Sequence, residues 1–139
     1  MVADREIPVL MAGLSNTQRT LRAMREQGRL CGIVERFLHM VGPHGKRQDL
    51  FGFIDIVAID PVDGIIGIQS CGQDFSDHIH KMMEERNEQM FEWLKHAKVE
   101  LWGWRRVKLK RGSAAVRWRP RIMDFELDGE NIVFQERNS

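Results

Sequence analysis

Two apolar runs joined by a short breaker constrain this chain most. The runs are Phe53-Ile54-Asp55-Ile56-Val57-Ala58-Ile59 and Ile65-Ile66-Gly67-Ile68-Gln69-Ser70-Cys71, and Asp60-Pro61-Val62-Asp63-Gly64 lies between them. Their Ile and Val content predicts two strands, and the Asp-Pro-Asp-Gly composition predicts a tight reversal. Closing the hairpin with Asp60 facing Gly64 sets Asp55 directly opposite Gln69, both side chains on one face. A carboxylate in so apolar a strand is costly to bury without a partner. One compensation is a hard divalent cation such as Mg²⁺, held by the oxygens of Asp55, Gln69 and the Ser70 main-chain carbonyl. Such an ion polarises phosphates and activates water, which points to phosphodiester cleavage. The other is a hydrogen-bonded or solvent-facing acid with no ligand.

The chain has 139 residues, enough for one domain with its own core. We expect an arm over residues 1–14 and a single domain over residues 15–139. No apolar run approaches the length of a membrane span, and residues 1–13 lack a signal-peptide pattern. Cys31 and Cys71 are too few for a disulfide framework. These features predict a cytoplasmic protein with no membrane partner.

Around the hairpin, Ser15 or Asn16 is placed to cap a helix running to about Gln27, stopped by Gly28. Leu30 to Met40 reads as a strand and Gly42 to Gln48 as a basic, glycine-rich loop. The hairpin is expected to run from Leu50 to about Cys71. Ile79, Met82, Met83, Met90, Phe91 and Leu94 recur at helical spacing and predict one long helix over residues 77–97. Residues 98–110 read as a strand, and one or two short strands follow across residues 116–134, with a turn at Asp128-Gly129. This order predicts an α/β fold, a central mixed sheet flanked by helices.

Formal net charge is only +1, but eight Lys and Arg residues and no acid lie between Arg105 and Arg121. Arg105, Arg106, Lys108, Lys110, Arg117 and Arg119 would carry arginine and lysine on the open face of a hairpin, suited to phosphates. Lys46 and Arg47 in the glycine-rich loop extend that surface. Trp102, Trp104 and Trp118 are interleaved with the cations, either to stack on bases or to fill the core.

The order of elements resembles the restriction-endonuclease-like core of the PD-(D/E)XK phosphodiesterase superfamily, and within it the archaeal-type Holliday junction resolvases. Residues 53–58 look like that family's aspartate segment, and residues 68–71 look like its Glu-or-Gln, any residue, Lys segment. The resemblance implies an α-β-β-β-α-β core with added C-terminal strands and a metal-dependent endonuclease using Mg²⁺ or Mn²⁺. It also implies a DNA substrate, branched in the nearest relatives, a homodimer, and a role in recombination in a phage or microbial cell. The alternative is a catalytically silent member that binds DNA or a protein partner.

Asp55, Gln69 and Ser70 match the family's metal-binding positions. Ile54 stands where the family has proline, and Cys71 where it has the catalytic lysine. The family can move that lysine to the next helix, where Lys81 is the stand-in; otherwise Lys81 is a solvated helix residue. His78 and His80 are rivals for proton transfer. Asp49 shares a face with Asp55 by strand parity, but an extended chain sets the two roughly 20 Å apart unless a bulge at Gly52 shortens the path. Glu35 on the preceding strand is a further candidate, and Cys71 has a weaker reading as a nucleophile.

Overall fold

The computed structural model describes residues 13–40 and 42–138. The expected arm therefore lies outside the described residues apart from Gly13 and Leu14.

Helix α1 (Asn16–Glu26) starts at Ser15, whose hydroxyl accepts the Gln18 N–H at 3.1 Å. Then follow β1 (Leu30–Ile33), β2 (Arg36–Leu38), β3 (Lys46–Gln48), β4 (Ile56–Asp60) and β5 (Gly64–Cys71). Helices α2 (Phe75–Glu85) and α3 (Asn87–Leu94) precede β6 (Lys98–Lys108), β7 (Val116–Asp128) and β8 (Asn131–Glu136).

Six strands form one mixed sheet in the order β1-β4-β5-β6-β7-β8, and β2 and β3 form a separate ribbon. Among the described residues only β5 and β6 pair in parallel, and the α2–α3 segment supplies the crossover that parallel pairing needs. Alternating side chains give the sheet two cores. Ile56, Ala58, Ile66, Ile68, Trp102 and Trp104 pack against Leu21 and Met24 of α1. Leu101, Met123, Phe125 and Val99 pack on the other face with Phe75, Met82 and Met90 of α2 and α3. The result is an α/β molecule with helices on both faces of a mixed sheet.

Four sequence expectations need correction. The strand expected over Leu30–Met40 breaks at Val34-Glu35, where both main-chain N–H groups turn to the Asp55 carbonyl at 2.8 and 3.4 Å. The loop expected over Gly42–Gln48 ends in β3, which pairs with β2. Residues 50–55 are a reversal rather than strand: Leu50 and Ile54 exchange main-chain hydrogen bonds at 2.9 and 3.0 Å. The helix expected over residues 77–97 begins two residues earlier and divides at Arg86 (φ −122°), whose guanidinium Nε donates to the Gly52 carbonyl at 3.1 Å. Gly52 sits at φ +81°, which favours glycine, and a Cβ there would lie 2.3 Å from Arg86 Nε and push the guanidinium aside.

On the α1 face, Glu100 is 2% exposed and fully partnered. It accepts from Arg29 at 2.9 and 3.1 Å, from Trp102 Nε1 at 2.9 Å and from Arg137 at 2.9 Å. Burial alone would push this carboxyl up, but the Arg29 and Trp102 hydrogen bonds overcome it and hold it below its usual range. Arg29 also donates to Asp60 at 2.8 Å, tying the end of α1 to the β4–β5 turn.

Candidate carboxylate centre

Asp55 sits one residue before β4. The register Ile56↔Ile68 continued by one position sets it opposite Gln69. Asp55 is 3% exposed and Gln69 7%. The Gln69 side-chain amide donates to Asp55 Oδ2 at 2.8 Å, and the Ser70 main-chain N–H donates to the same oxygen at 2.8 Å. Residues of a strand direct N–H and C=O to the same side, so the Ser70 carbonyl also faces the β4 edge.

Asp49 and Glu35 come to this pair by routes strand counting does not provide. At the Leu50–Ile54 reversal, Phe51 adopts φ +54° and Gly52 φ +81°, folding the chain back on itself. The Asp49 carboxylate then accepts the Gln69 amide at 3.3 Å. Glu35 arrives because the break after β1 is anchored on the Asp55 carbonyl. Carboxylate oxygens of Glu35, Asp49 and Asp55 all lie within 4.8 Å of one another. The roughly 20 Å separation of Asp49 from Asp55 expected for an extended chain is thus closed by a turn at Phe51-Gly52, the place where the sequence allowed a shorter path.

Three acids this close repel one another, and the cation recorded at the cluster is Arg47, 3.5 Å from Glu35 and largely exposed. Burial, the hydrogen bond with Asp49, and the charges of Asp49 and Glu35 push the Asp55 carboxyl up to about 8, against the opposing Ser70 N–H. An all-oxygen donor set with unbalanced negative charge fits a hard divalent cation of the Mg²⁺ class. For Gln69 to join as a ligand its amide must turn, since its nitrogen now faces the carboxylates.

The remaining expected residues are distributed as follows. Lys81 is exposed on α2 and has no hydrogen bond or ion pair with the carboxylates among the described residues. His80 is exposed, and His78 meets Asp74 at 3.1 Å. Cys71 is 4% exposed, and burial, then Asp74 and Asp55, push its thiol up to about 12. Such burial disfavours the free thiolate that a nucleophile needs.

The cations divide between two faces. Arg105, Arg117 and Arg119 lie on the carboxylate face of the β6–β7 hairpin, with Arg105 opposite Arg119. Arg106 and Lys108 lie on the α1 face, and Lys110 is exposed beyond β6. The single open basic face expected from the sequence is therefore two. Lys46 and Arg47 are exposed on β3. Trp102 and Trp104 are core residues, 1% and 2% exposed, and Trp118 has Arg19 3.5 Å and Arg106 5.9 Å from its ring centroid. Sequence reasoning passed over Arg121. It shares a cross-strand row with Gly103 and Cys71, stacks 4.4 Å over Phe75, and pairs with Glu136 at 2.8 and 3.0 Å. The register was the signal that would have found it.

A cleft of about 600 Å³ lined by Phe51, Ile65 and Trp93 lies against α3, on the same side of the sheet. No helix is long and apolar enough to cross a membrane among the described residues. No family model, curated protein or solved structure matches the chain.

Proposed function

We propose that this protein is a metal-dependent DNA endonuclease with a restriction-endonuclease-like core, acting at the Glu35, Asp49 and Asp55 cluster. The observation that carries this reading is the convergence of three carboxylates within 4.8 Å, beside the Gln69 amide, with Arg47 the one cation paired with them among the described residues. The element order supports it. One helix, three antiparallel strands, a helical crossover and a parallel fourth strand make the α-β-β-β-α-β series, with the β2–β3 ribbon inserted.

Asp55, Asp49 and Glu35 would hold Mg²⁺ or Mn²⁺, with Gln69 and the Ser70 carbonyl assisting. The ion supplies polarisation of a phosphate oxygen and neutralisation of the carboxylates. The chain's own contribution is position. The Ser70 N–H fixes the Asp55 rotamer, and burial beside Asp49 and Glu35 raises the Asp55 carboxyl when no cation is bound. Arg105, Arg117 and Arg119 extend from the same sheet face and would grip phosphates on either side of the scissile bond. Branched DNA as substrate, a homodimer and a cytoplasmic site of action complete the proposal.

The test is incubation with Mg²⁺ or Mn²⁺ and linear, nicked and four-way DNA. Cutting that vanishes in Asp55→Ala, with DNA binding retained, is the expected result. Absence of cutting on all three substrates with both ions sinks the hydrolase reading.

A second reading has its own observation. Cys71 is buried where the resemblance calls for lysine, and Lys81 is exposed. A silent nuclease-fold protein would bind DNA without cutting it, and binding would be lost on replacing Arg105 and Arg119 with alanine.

A further inference from the structure

We infer that Cys71, Asp74 and His78 form a second metal site, one for a thiophilic divalent cation of the Zn²⁺ class, adjoining the carboxylate centre. Donor atoms of these three residues lie within 4.8 Å of one another. Cys71 closes β5, Asp74 stands at the N-cap of α2, and His78 follows one turn along, so the β5–α2 junction brings them together.

Two details point to a ligand rather than to packing. Cys71 is 4% exposed and its sulfur makes no hydrogen bond among the described residues, yet it lies within 4.8 Å of donor atoms of Asp74 and His78. Asp74 occupies the position where a carboxylate ordinarily accepts the second or third helical N–H, and it makes no such bond. Its carboxylate turns back instead, one oxygen accepting the Gly72 N–H at 3.3 Å and the other meeting His78 Nε2 at 3.1 Å. That 3.1 Å separation is close to the edge of a tetrahedron with bonds of about 2.0–2.1 Å.

Sulfur, imidazole nitrogen and one carboxylate oxygen suit Zn²⁺ or Co²⁺, whereas the neighbouring all-oxygen cluster suits Mg²⁺ or Mn²⁺. Asp74 is more than half exposed and His78 about a quarter, which leaves room for water as the fourth ligand. Cys71 and Gln69 stand two residues apart on one face of β5, about 7 Å along the strand. The two sites are therefore adjacent but draw on different side chains. This inference does not depend on nuclease activity.

Co²⁺ titration of the metal-free full chain tests it, with absorption read in the near-ultraviolet and visible. The expected result is a thiolate-to-Co²⁺ charge-transfer band that saturates at one ion per chain and is displaced by Zn²⁺. The band should persist in Cys31→Ser and in Asp55→Asn, and vanish in Cys71→Ser. His78→Ala, a change at a partly exposed position that leaves the buried thiol intact, should weaken Co²⁺ binding by at least the roughly 10–100-fold that loss of a ligand's hydrogen-bond partner costs. Absence of the band in the unmodified chain, its survival in Cys71→Ser, its loss in Asp55→Asn, or undiminished affinity in His78→Ala each overturns the assignment.

Discussion

Replacing Asp55 with asparagine should stabilise the metal-free protein, and the gain should depend on pH. An acid whose folded pKa is raised costs stability wherever the unfolded chain has ionised and the folded one has not. With an unfolded value near 3.8 and a folded value of about 8, that window runs from about pH 4 to pH 8. Within it the unfolded state binds fewer protons, so stability falls as pH rises, by about 1.4 kcal/mol per unit. From pH 4 to pH 7 the sum is about 4 kcal/mol. Asparagine mimics the neutral acid. Its oxygen can accept the Gln69 and Ser70 N–H groups that now reach Asp55 Oδ2, and its nitrogen can donate to Asp49. In a chain of this size about 4 kcal/mol is on the order of 10 °C in Tm. Calorimetry of both proteins across pH 4–8, in chelator, reads the effect. The unmodified chain should lose Tm steadily and Asp55→Asn should lose much less, so that the curves diverge. Equal slopes, or a lower Tm for Asp55→Asn at pH 7, refute the claim that this carboxylate is buried against other acids without a cation.

Other perturbations test the surrounding structure. Mg²⁺ or Mn²⁺ at millimolar concentration should raise the Tm of the unmodified chain at pH 7 and leave that of Asp55→Asn nearly unmoved; an equal rise in both would contradict a cation held at Asp55. Arg29→Ala strips two hydrogen bonds from the buried Glu100 carboxylate and should destabilise by about 3–5 kcal/mol in urea melts, with less than 1 kcal/mol counting against the network. Gly103→Ala would place a Cβ 2.3 Å from Phe75 Cδ1, so overpacking should cost about 1–3 kcal/mol and loosen the start of α2; an unchanged melt would mean that Phe75 moves freely. If the β6–β7 hairpin grips DNA, replacing Arg105 and Arg119 together with alanine should reduce the log–log salt slope of binding by about 2, and an unchanged slope removes them from the interface.

The hairpin was legible because its turn chemistry sets its own register, and register alone puts Asp55 across from Gln69. The helix-to-sheet order was legible for the same reason, since periodicity and turn residues are local signals. What assembled the rest of the cluster is not local. Phe51 adopts a left-handed conformation that favours glycine, and only the adjacent Gly52 hints at a departure from strand there. Glu35 is placed by main-chain bonds to Asp55, a contact across twenty residues, and the helix break at Arg86 is tied by a bond to Gly52 across thirty-four. The break after β1 and the Leu50–Ile54 reversal both meet at the centre, so segments that read poorly from sequence help build it. The division of arginines between faces followed from strand parity, but only once the true bounds of β6 and β7 were known.

Anomalous diffraction from a crystal soaked in Mn²⁺ tests the central claim most directly. The account predicts a peak bonded to Asp55 and to at least one of Asp49 and Glu35, with the Gln69 amide turned so that its oxygen faces the ion. Saturating Mn²⁺ with no peak among these carboxylates, and the Gln69 nitrogen still donating to Asp55, would contradict it.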